Sequence, residues 1–364
     1  MIVKQVTEIL EQLAPLSYAE DFDNVGLLVG DINTEVKGIL VTLDTLENVI
    51  DEAISKNCNL IVSFHPIVYS GLKKITGANY VQRVVIKAIQ NNIAIYSMHT
   101  ALDNSYNGVN AKICEVLGLT NQKILIPQKG TIKKLITYIP KNDAPKLKTA
   151  LYNAGAGTIG NYSNCSFTAT GDGSYKAAEN ANPVKGEIGK THIEEEAQIN
   201  ITYSKSKEKN ILKALFKNHP YEEVAYEIQT LENHNQYIGM GMIGELEHPM
   251  DEIDFLSFVK QKMNASCIRH SQLLDEKVKK VAVLGGSGAF AISAAKAAGA
   301  SIFITSDIKY HQFYEAENKM LIADIGHYET EQFTKNLLVD YLTKKIPNFA
   351  IHLSDSKTNP IKYF

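Results

Sequence analysis

Apolar residues along the chain switch between two periods. Val3, Val6, Ile9, Leu10 and Leu13 recur every three to four positions, the spacing of one helical face. From residue 37 onward, short apolar runs alternate with amphipathic stretches. KGILVTLD (37–44), CNLIVSF (58–64) and IAIYSMH (93–99) predict strands, and ENVIDEAISKN (47–57), ANYVQRVVIKAIQNN (78–92) and GVNAKICEVLGL (108–119) predict helices. Strands apolar at consecutive positions are buried on both faces, so this order predicts an α/β unit with a parallel, two-sided sheet.

Near residue 129 the pattern changes. TIKKLITYIP (131–140), QINITYSK (198–205) and VAYEIQTL (224–231) predict strands, and DAPKLKTALYNAG (143–155) and KEKNILKALFKNH (207–219) predict helices, the first closed by a glycine. Together they read as an independent α+β module. Within it, GDGSYKAAENANP (171–183) has the composition of a surface loop. Strand–helix alternation resumes with DFLSFVKQKMN (254–264), KKVAVLGGSG (279–288), AISAAKAAGA (291–300), SIFITSD (301–307) and KMLIADIGH (319–327). The run at 301–307 echoes NLIVSFH at 59–65. Either the chain holds two related halves, or buried α/β strands are simply alike. The division expected is an N-terminal lobe over 1–128, an insert over 129–233 and a C-terminal lobe over 234–364.

Composition narrows the class. The 364 residues are 45% hydrophobic and 21% charged, as in folded proteins, and the formal net charge of −3 leaves no basic surplus for a phosphate backbone. Nucleic acid is therefore a poor partner. No apolar run is long enough to span a bilayer, and MIVKQVTEILEQLAPL lacks the apolar core of a leader. Cys58, Cys114, Cys165 and Cys267 have no paired spacing, which suits reduced thiols in a cytoplasmic protein.

Open α/β sheets bind ligands at the carboxyl ends of their strands. Polar clusters fall there at Ser63–Pro66, His99–Asp103, Ser306–His311 and Gly326–Glu331. His327 and Glu331, four residues apart, share one face if a helix opens at His327, and an imidazole with a carboxylate at that spacing can grip a divalent cation. His65, Asp103, His327 and Glu331 each follow a predicted buried strand, so they can converge on one cavity. Pro66 biases His65 toward an extended backbone at the strand end. Some features stay open. GGSG (285–288) either holds an anion on its amides or only turns tightly. Asp23 and Asn24 either line the cavity or form a turn. His219 and Glu222 either bind metal or hydrogen-bond at a helix end.

DFDNVGLLVG (21–30), LIVSFHP (60–66), HTALDN (99–104), ITSDIKYH (304–311) and GHYETE (326–331) resemble, in order, the signature blocks of the Nif-three-like family, also called GTP cyclohydrolase I type 2 homologs. The resemblance implies two related α/β lobes forming one metal-binding domain, a dinuclear divalent-metal site and a ring-shaped homohexamer. HPYEEVAYEI (219–228) resembles the closing segment of CutA-like and PII-like domains, which implies that the insert is such a domain. The family carries two adjacent histidines before the proline, where this chain has Phe64 and His65. By resemblance His65 and His327 serve one metal, Asp103 the other, and Glu331 bridges both. The missing imidazole implies one firm site and one weaker, water-completed site for zinc, iron or manganese. His99 and His311 are candidates to orient a ligand or to act as general acid or base. Two functions follow: metal-assisted hydrolysis of a nucleotide or related heterocycle, or a non-catalytic metal-binding ring acting as sensor, metal chaperone or partner platform.

Overall fold

The computed structural model describes residues 1–364 and divides into two compact units, residues 1–127 with 236–364, and residues 128–235. In the first unit a five-stranded sheet has the order Gly26–Val29, Ala94–Ser97, Leu60–Ser63, Ile39–Thr42, Ile351–Leu353. The last four run parallel and the first is an antiparallel edge. The three central strands are buried at every position. Leu40, Ile61 and Ile95 pack with Val49, Ile50, Val84 and Val85 of helices Glu47–Ser55 and Tyr80–Gln90. Ile39, Val41, Leu60 and Val62 point the other way. Alternate residues thus serve two apolar layers, which is why these strands read as continuous apolar runs.

The second sheet of this unit has the order Arg269–His270, Leu321–Asp324, Ile302–Ser306, Lys277–Ser287, Asn235–Asp251, Thr120–Gln128. Its Leu321, Ile302 and Ile304 join Ile39, Leu60 and Val62 in one apolar cluster, so the two sheets share a core. Both sheets are mixed, not purely parallel: Asn235–Asp251 and Arg269–His270 are antiparallel to their neighbours. No helix is long and apolar enough to cross a membrane.

The second unit is a four-stranded antiparallel sheet, ordered Phe167–Lys176, Thr191–Ser204, Ile132–Pro140, Tyr226–Leu231. Leu147 and Leu151 of helix Ala144–Asn153, with Ile211 and Leu215 of helix Glu208–Asn218, cover Leu135, Ile139, Ile199 and Ile201 on one face. The loop expected from residue 171 begins only after Lys176. Residues 167–176 pair along their length with Thr191–Ser204, from Phe167 opposite Asn200 to Lys176 opposite Thr191. This edge strand is exposed at most positions, so it needs only partners for its amides and no apolar alternation.

The strand Ile351–Leu353 brings the C-terminal segment beside Ile39–Thr42, and a single carboxylate fastens it. Glu52 accepts hydrogen bonds from Ser354 Oγ (2.7 Å), Asp355 N (2.8 Å), Ser356 N (3.1 Å) and Ser356 Oγ (2.6 Å), and pairs with Lys56 Nζ at 2.7 Å. Burial alone would raise its pKa, but Lys56 and the serines hold it down to about 2. A pKa depressed in the folded state gives stability that is present above the ordinary carboxylate range and lost as pH falls through it. Glu52→Gln is expected to lower stability at pH 7 by at most about 3 kcal/mol. The gap to wild type should close between pH 5 and pH 2, read from denaturation midpoints. A gap independent of pH would show that the carboxylate is not the fastener.

Candidate metal centre

Each candidate side chain sits where a buried strand gives way to a turn. Thr42 ends its strand, and its hydroxyl donates to the Asp44 carbonyl (2.9 Å), fixing the turn that presents Asp44. Ser63 ends the next strand, and its hydroxyl donates to the His65 carbonyl (2.9 Å). In the second sheet Ser306 precedes Asp307, and the strand Leu321–Asp324 leads through Gly326 into helix His327–Glu331.

The geometry of the two imidazoles is nearly the same. His65 donates from Nδ1 to Asp44 Oδ1 at 2.7 Å and holds Nε2 at 3.0 Å from Glu331 Oε2. His327 donates from Nδ1 to Asp307 Oδ2 at 2.7 Å and holds Nε2 at 3.3 Å from the same Glu331 oxygen. The ring centroids are 5.5 Å apart. Glu331 is buried, and its Oε2, although this close to two nitrogens, has no partner in hydrogen-bond direction. The ligand atoms of His65, His327 and Glu331 all lie within 4.8 Å of one another.

Charge explains why these groups belong together. Burial would lower both imidazole pKa values, but Asp44 with Glu331, and Asp307 with Glu331, raise them to about 10 and about 11. Burial would raise that of Glu331, but the two rings hold it at about 2. Three carboxylates and two imidazolium rings carry one net negative charge. Two neutral rings with one divalent cation leave the same net charge. The residues therefore fit a divalent cation, which would exchange for the two ring protons without changing the charge of the site.

Asp103 ends the short helix His99–Asp103. The residue is half-buried, its Oδ1 is buried without a partner, and desolvation together with Glu331 raises its pKa well above the usual carboxylate range. It does not join the three-residue group, but lines an adjoining cavity of about 270 Å³ with His99, His327, Glu331 and Gly286. His99 donates from Nδ1 to Asp23 Oδ1 (2.8 Å), and the other oxygen of Asp23 accepts from Thr100 N (3.1 Å) and Thr100 Oγ1 (2.6 Å). Asp23 is not among the residues lining the cavity and does more than form a turn: it clamps the ring of His99. His311 lies elsewhere, exposed on the segment Tyr310–Ala316 against Tyr310 and Tyr314. Phe64 is buried, its ring centroid 5.0 Å from that of His65 and 5.6 Å from that of His99.

The glycine turn does not offer its amides to an anion. Gly285 N–H donates to Asn110 Oδ1 (3.0 Å) and Gly286 N–H to Thr330 Oγ1 (2.9 Å). Gly286 has φ +70°, and a Cβ there would lie 2.5 Å from Glu331 Oε1, so the glycine lets the strand end pass close to the carboxylate. His219 is a hydrogen-bonded helix-end residue, with Nε2 2.9 Å from the Tyr138 carbonyl and Nδ1 accepting from Tyr221 N–H. Asp44 and Asp307 are the residues that sequence reading passed over. Each follows the end of a buried strand directly or within two residues, the signal that marked the histidines.

The whole chain has known counterparts. The family model described as Duf34/NIF3 (NGG1p interacting factor 3) matches residues 1–360. A protein of Bacillus subtilis (strain 168) named GTP cyclohydrolase 1 type 2 homolog is 37% identical over 370 residues, covering 99% of this chain and 98% of its own. A Staphylococcus epidermidis protein of the same name is 33% identical over the full length of both. Among solved structures, the Bacillus cereus protein related to NIF3 superposes with a TM-score of 0.86 at 35% identity, covering 100% of this chain and 99% of its own. With matches of this extent in both sequence and fold, the chain belongs to the Duf34/NIF3 family.

Proposed function

We propose that the chain binds a divalent cation through His65, His327 and Glu331 and uses it in hydrolysis of a small molecule held in the adjoining cavity. The observation that carries this reading is the buried Glu331 Oε2, faced by two Nε2 atoms whose rings are each fixed from behind by an aspartate. An aspartate on Nδ1 sets the tautomer that leaves Nε2 free as a ligand. Three protein ligands leave a coordination position open, the mark of a reactive rather than a structural site. The cation supplies Lewis acidity there. His99 borders the cavity with its Nδ1 engaged by Asp23, so its Nε2 is the atom that takes or gives a proton. His311, which does not border the cavity, has no part in this reading.

The name of the curated relatives supports a nucleotide or related heterocycle as substrate class. So do Phe22, Tyr69 and Phe290, which line the cavity yet are 65%, 51% and 61% exposed and offer flat faces for a planar ring. Asp103 would serve a second, weaker cation, because Phe64 stands where the family carries another imidazole. Family membership supports a homohexamer, which sedimentation velocity tests.

Elemental analysis of protein purified without chelator is expected to find about one transition metal per chain, lost in His327→Ala. Phe64→His should raise the content toward about two. No metal in wild type after addition of zinc, iron and manganese would sink the reading and leave a scaffold role. Asp44→Ala, which frees the His65 ring from its clamp, should weaken metal affinity by roughly 10–100-fold in a competition titration. His99→Ala should keep the metal but lower any nucleotide hydrolysis by about 10²–10⁴-fold. Equal loss of metal in that variant would assign His99 to binding instead.

A further inference from the structure

The sheet of the second unit has one face under its two helices and one without. Leu135 and Ile139 point to the helices, so Tyr138 between them faces the other way. Ala197 and Ile199 likewise point to the helices, which puts Glu196 and Gln198 on the face of Tyr138. Over this face residues 177–184 and 221–225 enclose a cavity of about 320 Å³. Its walls combine the rings of Tyr138, Tyr175 and Tyr221 with the carboxylates of Glu196, Glu222 and Glu223, and Lys176 is the one cation among the lining residues.

The details fix how these groups present themselves. Tyr175 donates its hydroxyl to the Lys185 carbonyl (2.8 Å) and Tyr221 donates its hydroxyl to Glu196 Oε1 (2.9 Å). With the hydroxyls engaged, the rings can offer their faces. Tyr175 and Tyr221 have centroids 5.9 Å apart and planes at 65°, the corner of an aromatic box. At Gly173 a Cβ would lie 2.1 Å from Glu196 Oε2, so the glycine leaves room for that carboxylate. Asn182 N–H donates to Glu222 Oε1 (2.8 Å) and ties the covering segment down. Ala177, Ala181, Pro183 and Val184 complete the wall with small apolar groups.

We infer that this cavity binds a weakly hydrated organic cation of the quaternary ammonium kind. Ring faces attract a cation that sheds its water easily, and the carboxylates, outnumbering the single lysine, repel anions. The alanine, proline and valine side chains suit alkyl groups, and no histidine or cysteine lines the cavity.

The test is a calorimetric titration of the full chain with choline and with its neutral isostere, 3,3-dimethylbutan-1-ol. Choline should bind at least about tenfold more tightly. Tyr175→Phe should bind choline as wild type does, whereas Tyr175→Ala and Tyr221→Ala should weaken it by about tenfold or more. Glu196→Gln and Gly173→Ala, which neutralise and displace the same carboxylate, should each weaken it severalfold. Far-UV circular dichroism and metal content confirm that each variant is folded. Equal binding of choline and the isostere, or no heat from either at roughly 10 mM, would overturn the inference. So would folded Tyr175→Ala and Glu196→Gln proteins that bind choline like wild type.

Discussion

The architecture of the first unit converges on one buried carboxylate. Glu331 ionises in a core position only because positive charge meets it from two sides, His65 from the five-stranded sheet and His327 from its own helix. An ionised carboxylate with no such partner would be prohibitively unfavourable there. The sheets must therefore meet with both sets of strand ends turned to the same place. The shared apolar core, in which Ile39 and Leu60 lie with Ile302 and Leu321, provides that register. The site and the packing of the two sheets are one constraint.

Two of the ten non-glycine residues with positive φ belong to the site. His99 and Asp307 have φ of +21° and +57°, in a region that non-glycine residues seldom occupy. Each costs of order 1–3 kcal/mol. His99 is held there by its N–H, which donates to the Phe64 carbonyl (2.9 Å), and by the grip of Asp23 on its ring and on Thr100. Asp307 is held by Ser287 and His327. Strain over-determined in this way aims the rings before any ligand arrives.

The sequence disclosed these features unevenly, for physical reasons. Ile39–Thr42, Leu60–Ser63 and Ala94–Ser97 were legible because burial on both faces forces every position to be apolar. Histidines at their ends stood out because few other residue types change charge near neutrality. The edge strand Phe167–Lys176 was not legible, since exposure relaxes the demand for apolar residues. Ile351–Leu353 is too short to show a period. Asp44 and Asp307 escaped for another reason. An aspartate after a strand is common in turns, and only the coordinates distinguish one that caps a turn from one that clamps a ring.

Phe64 brings the fold and the proposed chemistry together. It is fully buried and packs beside His65 and His99, filling the position with an aromatic ring that offers no nitrogen ligand. In the proposed reading this removes the partner that would help Asp103 hold a second cation. Desolvation and the charge of Glu331 outweigh the pull of His65 and His327 and drive the Asp103 carboxyl toward its neutral form. A neutral acid is stable in that place without metal and carries a proton that an ionised one lacks. In the proposed reading the Asp103 carboxyl stands at the cavity wall, where its neutral form would donate a hydrogen bond to a bound molecule and its ionised form would hold the weaker cation.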